Sequence, residues 1–153
     1  MGINSTGLMN ALTSMASSSG LFINVLGHEP KAAPTTDGMT CAVWWMGIAP
    51  VLSSGQSAVS VRVEFWMRVY NSMLQEPQDN IDPQVMVATD YLLETLFGNF
   101  DIDVGGTRYV DVFGADGDGV RATPGYLTQD SKAFRTVDIV VPVIVNDAYL
   151  EVA

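Results

Sequence analysis

The clearest pattern in the chain runs from Val59 to Tyr70. Val59, Val61, Val63, Phe65, Met67 and Val69 hold one parity, and Ser60, Arg62, Glu64, Trp66, Arg68 and Tyr70 hold the other. Successive side chains of an extended chain point to opposite faces, so this strict alternation predicts a half-buried antiparallel strand. Its length is roughly 35–40 Å, well past that of a typical strand. In a small domain such a strand projects past the core or crosses a subunit seam.

Cys41 to Ile48 reads as its hairpin partner, joined through a loop from Ala49 to Ser57 that contains Pro50 and Gly55. This partner is apolar on both parities. Cys41, Val43 and Trp45 lie on one face, and Ala42, Trp44, Met46 and Ile48 on the other. That composition predicts cover on both sides, by the chain's own core or by a neighbouring subunit. The last long strand is expected from about Phe134 to Asn146. Val137, Ile139, Val141, Val143 and Val145 make its apolar face, and Thr136, Asp138, Val140, Pro142 and Ile144 a mixed one. Proline has no N–H to give a ladder, so Pro142 predicts an edge strand or a bulge. An edge strand is a natural rim for another subunit to dock on. A short strand over Leu21 to Leu26 and a hairpin of Asp101–Val104 with Thr107–Phe113 about Gly105-Gly106 complete the β elements.

Two segments carry a helical period instead. Leu8, Met9, Leu12, Met15 and Ala16 form one stripe between about Thr6 and Ala16, with Asn4 or Ser5 able to cap the start. Val85, Ala88, Leu92, Leu93 and Leu96 form another, with Asp82 expected as N-cap, Pro83 at the first helical position and Gly98 at the stop. The stretches Gly27–Met39, with Pro30 and Pro34, and Gly114–Gly119 read as loops, the second flexible and acidic. The order α, β, long β-hairpin, α, β-hairpin, β predicts an α+β fold. It is a mostly antiparallel sheet with a long β-hairpin and two helices packed on it.

The length of 153 residues is that of one domain over positions 1–153. It is also long enough for a core that needs no disulfide or metal. With 48% hydrophobic and 16% charged residues the chain is not a disordered acidic tail. Seven Lys/Arg against 17 Asp/Glu give a net charge of −10, which excludes a dense basic grip on nucleic acid. The one cysteine, Cys41, excludes a disulfide framework and a multi-cysteine zinc site. Positions 1–20 lack Lys and Arg, so no signal-peptide n-region is present there. The apolar run Ile139–Val145 is broken by Pro142 and too short to span a bilayer. Synthesis in a reducing cytoplasm without membrane attachment is the expectation.

Candidate chemistry is sparse. His28, the only histidine, stands in a Gly-His-Glu-Pro loop, and the adjacent Glu29 points away from it on an extended chain. Cys41 sits among apolar neighbours, which raise a thiol pKa rather than lower it. The Asp111–Gly119 loop has turn-forming Asp-Gly pairs. From neither Asp101 nor Asp116 do positions five and twelve of a calcium loop carry oxygen ligands. No catalytic, cofactor or metal residue is assigned. Trp66 and Tyr70, beside Arg62 and Arg68 on the polar parity of the long strand, are of the residue types enriched at interface hot spots. They are the candidate subunit contacts, together with the rim at Pro142.

Several local phrases together resemble the tail terminator family of long-tailed bacteriophages, in the version found in actinobacterial phages. They are the Leu8/Leu12 helix, Val59-Ser-Val-Arg-Val-Glu-Phe-Trp-Met-Arg-Val-Tyr70, and Asp82-Pro83 opening a helix that closes Leu-Leu-Glu-Thr-Leu-Phe-Gly98. Further on come Asp111-Val-Phe-Gly114, Gly125-Tyr126-Leu127, and the closing Phe134-Arg-Thr-Val-Asp-Ile-Val-Val-Pro-Val-Ile-Val-Asn-Asp147. The resemblance covers nearly the whole chain and implies a non-enzymatic virion protein of the tail or neck, made in the host bacterial cytoplasm. Such a subunit forms a homo-hexameric ring on the last ring of the major tail tube protein. The ring stops tube growth and joins the tail to the head–neck connector, while DNA passes through the lumen unbound. An acidic wall repels phosphates, so part of the −10 is expected to face that lumen, with Asp116 and Asp118 as candidates. Another neck component, such as a head-closure subunit, fits the same phrases. A small ligand- or Ca²⁺-binding domain using the Gly27–Met39 or Asp116 loop is a further alternative.

Overall fold

The computed structural model describes residues 2–51, 58–98, 102, 108–115 and 117–150. In chain order these form α1 (Ser5–Ser18), β1 (Phe22–Leu26), β2 (Met39–Val51) and β3 (Ala58–Ser72). A short 3₁₀ turn (Gln78–Asn80), α2 (Ile81–Gly98), β4 (Arg108–Val110), β5 (Arg121–Gln129) and β6 (Lys132–Leu150) follow. The fold is α+β. The strands lie in the order β1-β2-β3-β6-β4, with β5 also on β6. Among the described strands only β1 and β2 run parallel.

The alternation in β3 decides where the core lies. Val61, Val63, Phe65, Met67 and Val69 are all buried, opposite Val145, Val143, Val141, Ile139 and Val137 of β6. Both helices lie on this inner face. α1 brings Leu8, Leu12 and Met15 to it, and α2 brings Val85, Ala88, Leu92 and Leu96. The start of α1 is held as its sequence predicts: Asn4, in the left-handed region, accepts the Gly7 N–H on its side-chain oxygen at 3.3 Å.

α2 begins two residues earlier than expected. The 3₁₀ turn runs straight into Ile81, so Asp82 lies inside the first turn rather than capping it. Its charge suits the positive end of the helix, and its carboxylate accepts from Arg135 Nε at 2.9 Å.

Pro142 is not on an edge. β6 pairs with β3 along one side and with β5 and then β4 along the other, so Pro142 is buried within the sheet. Its carbonyl accepts from the Asp111 N–H at 2.9 Å, which fixes the side its nitrogen faces. On that side the β5 ladder has ended at Val140 and the β4 ladder starts at Val143. Asp111 continues the β4 register opposite Pro142, so proline leaves unmade only the reciprocal bond of that pair, at the point where one partner strand gives way to the other.

The edge proline is Pro124, on β5, a strand that no alternation in Arg-Ala-Thr-Pro-Gly-Tyr-Leu-Thr-Gln predicts. β5 exists because Asp130 and Ser131 take φ of 50° and 63°, turning the chain back in a two-residue hairpin onto β6. Counting pairs out from that turn puts Pro124 at a position whose nitrogen faces outward, the place where a strand tolerates proline. Of the hairpin expected around Gly105-Gly106, residues 101 and 103–107 lie outside the described residues. Arg108–Val110 pairs with β6.

The distal half of β2 stands clear of the core, whereas β3, the strand whose length predicts a projection, stays buried on its inner parity from Val61 to Val69. Cys41 to Trp44 are buried on both faces, but after a bulge between Trp45 and Gly47 the strand is exposed. The expected cover on both sides therefore holds for half of the strand only. β1 accompanies β2 only as far as Ala42. Among the described residues no strand pairs that side of β2 farther on.

The two faces of α2 give a direct check in urea unfolding. Leu92→Ala, under the helix, should cost about 2–5 kcal/mol. Met86→Ala, on the exposed side, should change stability by less than about 0.5 kcal/mol.

Candidate subunit interface

The outer face of the sheet carries the polar parity of β3, and both helices lie elsewhere. Two loops fold across it instead. The loop 27–38 closes one end, where Ala33 packs against Ala42, Trp44, Tyr70 and Phe134. It is pinned by the Ala33 N–H donating to Asp130 at 2.7 Å and by Gln129 Nε2 donating to the Pro30 carbonyl at 3.1 Å. Residues 111–115 and 117–120 close the other end over Arg62.

Between them the sheet brings Trp66, Arg68 and Tyr70 together with Trp44 and Asp138. Register does this: Trp44 lies opposite Trp66 on β2, and Asp138 opposite Arg68 on β6. The Arg68 guanidinium pairs with Asp138 and stands 5.3 Å from the Trp44 ring centroid, 5.9 Å from Trp66 and 5.8 Å from Tyr70. A cation facing aromatic rings is held by their quadrupoles. Burial alone would lower the Arg68 pKa, but hydrogen bonds and charge from Asp138 and Tyr70 outweigh it and hold it above the ordinary value. Burial also raises the Tyr70 pKa, with the Arg68 contact pulling against it.

The candidate contacts therefore differ in what they offer a neighbour. Tyr70 is 1% exposed and stacks edge-on to Phe134 at 5.8 Å, so its own chain has already enclosed it. Pro142 is likewise buried. Arg62 is locked to Asp111 at 2.8 Å with 10% of its side chain exposed, and it also donates to the Asp118 carbonyl. Trp66 and Arg68 remain partly open, and the Trp66 Nε1–H is buried with no acceptor among the described residues. Asp118 is exposed, its carboxylate 3.8 Å from Arg121. Asp116 lies outside the described residues.

Open apolar surface lies elsewhere as well. Trp45, at 57% exposure, stands with Met46, Ile48 and Tyr149 at the distal end of β2, β3 and β6. Trp45, Ile48 and Tyr149 line a groove of about 660 Å³ against Met9 of α1. Double-parity apolar composition in β2 was the one sequence signal for it. Exposed apolar surface of this kind marks binding sites.

The nucleophile and metal candidates have ordinary structural settings. Cys41 is fully buried, and desolvation pushes its thiol from 9.0 up to about 12. His28 is exposed, with Nδ1 3.1 Å from the Glu29 carbonyl. Asp111 accepts from the Gly114 and Ala115 N–H groups at 3.1 and 2.9 Å, which makes it the organiser of a turn. Among the described residues no three His, Cys, Asp or Glu side chains converge as a metal cluster. No described helix is long and apolar enough to cross a membrane.

Two outcomes test this description. Because folding raises the Cys41 pKa, the buried thiol supports the folded state fully below pH 9.0 and loses that contribution as pH rises towards about 12. Cys41 should accordingly resist a thiol reagent at pH 8 until denaturant is added. Asp111→Ala should cost about 3–5 kcal/mol in urea unfolding, because it strands the buried Arg62 charge. Adding Arg62→Met should restore part of that loss.

No protein-family model matches the chain, and no curated protein matches it.

Proposed function

We propose that this chain is a ring-forming structural subunit at the head-proximal end of a phage tail tube. It ends tube growth and joins tail to connector without enzymatic chemistry. One observation carries the reading beyond the sequence resemblance. Among the described residues no strand pairs the outer side of the distal half of β2, and Trp45, Met46, Ile48 and Tyr149 stand exposed beside that edge, apolar surface of the kind that marks an interaction site. A ring is built from two different patches, each meeting the other on the next copy. The closing phrase that carries most of the resemblance is now β6, the strand to which β3, β4 and β5 all bond.

The charge supports the same reading. Asp111, Asp138, Asp82 and Asp118 are paired with arginines. The remaining acidic residues of the 17 have few cations left to meet, so the surface stays strongly negative. Such a surface lets DNA pass a conduit without adhering. In a ring, exposed carboxylates such as Asp118 would line that path.

Purified protein mixed with preformed tail tubes should appear in negative stain as six-fold rings seated on one tube end. It should also halt elongation when added to polymerising tube protein. Binding to DNA-filled heads in place of tubes would replace this reading with a head-closure role.

A further inference from the structure

Residues 111–115 and 117–120 are tied down by more bonds than a solvent loop requires. Asp111 gathers two backbone N–H groups and the Arg62 guanidinium, and the Val120 N–H returns to the Val112 carbonyl at 3.1 Å. A methyl group at Gly114 would collide with the Gly117 carbonyl oxygen, and one at Gly119 with that of Val112. Gly114 also takes a φ of 78°, open to glycine at little cost. This framework holds out one large apolar side chain, Phe113, which is 97% exposed. The core makes no use of its ring.

Two apolar grooves could receive such a knob on another copy. The groove between α2 and β5 is lined by Asp82, Asp90 and Arg135, and because Arg135 pairs with Asp82 one carboxylate is left over there. The knob is followed by Asp118, whose side chain is 79% exposed, so like charges would meet there. The groove between α1 and the distal end of β2 has no charged lining residue, and α1 has no charged residue at all. It offers Met9, Trp45, Ile48 and Tyr149 to an aromatic ring, with the Ser5 and Thr6 hydroxyls at its rim.

Placement within the sheet makes the contact intermolecular. The knob follows β4 and closes over the outer face through Arg62. The groove lies on the inner, helix-bearing face, towards the opposite, β2 edge. Knob and groove are two different surfaces of one chain, the requirement for a head-to-tail contact.

We propose that Phe113 of one copy seats in the groove formed by Met9, Trp45, Ile48 and Tyr149 of the next. This rests on the ring-forming reading and names its joint. The contact centres an aromatic anchor in an apolar pocket, the arrangement that dominates binding energy at protein interfaces.

Sedimentation of the full chain tests the joint, alone and on tail tubes. Phe113→Ala and Ile48→Glu should each weaken self-association at least about 30-fold, a hot-spot loss, with unchanged far-UV spectra. Each variant alone should be monomeric. Their equimolar mixture should form one-to-one dimers, because one intact knob still meets one intact groove. Wild-type rings with Phe113→Ala rings of equal stability would overturn the joint and leave the ring. Loss of assembly in Phe113→Ala with no dimer in the mixture would overturn the groove as its receiver. A wild-type chain monomeric both alone and on tubes would overturn both readings.

Discussion

The ladder between β3 and β6 is the constraint on which the other elements depend. It runs from Ser72 opposite Phe134 to Ala58 opposite Leu150, and from Val61 to Val69 and Val137 to Val145 both strands keep an unbroken apolar parity along the inner face. Neither strand could bury that face alone. Together they make the floor on which α2 lies, and β3 holds β2, which with β1 seats α1, so the helical stripes bury Leu8, Leu12, Leu92 and Leu96 against one continuous face. β6 then supplies its second side to β5 and β4 in turn. Pro142 lies at the changeover, where its missing N–H forfeits one bond at the end of a ladder rather than one in its middle.

The other parity of the same ladder is handled by charge pairing and aromatic rings. Arg62 and Arg68 project from β3 into a region that two loops half enclose. Each meets a carboxylate, Asp111 from the loop and Asp138 from β6. Arg68 also faces three aromatic rings. A guanidinium is weakly hydrated and planar, so it tolerates such a place better than an ammonium would. The outer face is consequently closed in large part by the chain's own residues. The apolar surface left for partners moves to the distal end of β2 and to the tip of the loop 111–120.

Legibility in the sequence followed the range of the interaction. The alternation of Val59 to Val69 and of Val137 to Val145, and the stripes of the two helices, report a side chain's own face and were read correctly. Tyr70 shares its parity with Trp66, yet its burial depends on Phe134 and on the loop 27–38, more than thirty residues away in the chain. β5 has no periodic signature, because β6 beyond the Asp130-Ser131 turn holds it in place. Phe113 carries no signal of exposure: Asp-Val-Phe-Gly reads equally well as a strand end.

By itself the sequence determined the fold class, the inner face of the sheet, both helices and an acidic chain with one inert thiol. Those properties follow from periodicity and composition, which each segment carries within itself. The tertiary structure alone decided which strand was interior and which polar-parity side chains were enclosed. It also decided where an aromatic knob and an uncharged groove stand on opposite sides of the sheet. Those properties depend on which distant segments pair, and a hydrogen-bond ladder leaves no trace of its partner in the residues of one strand.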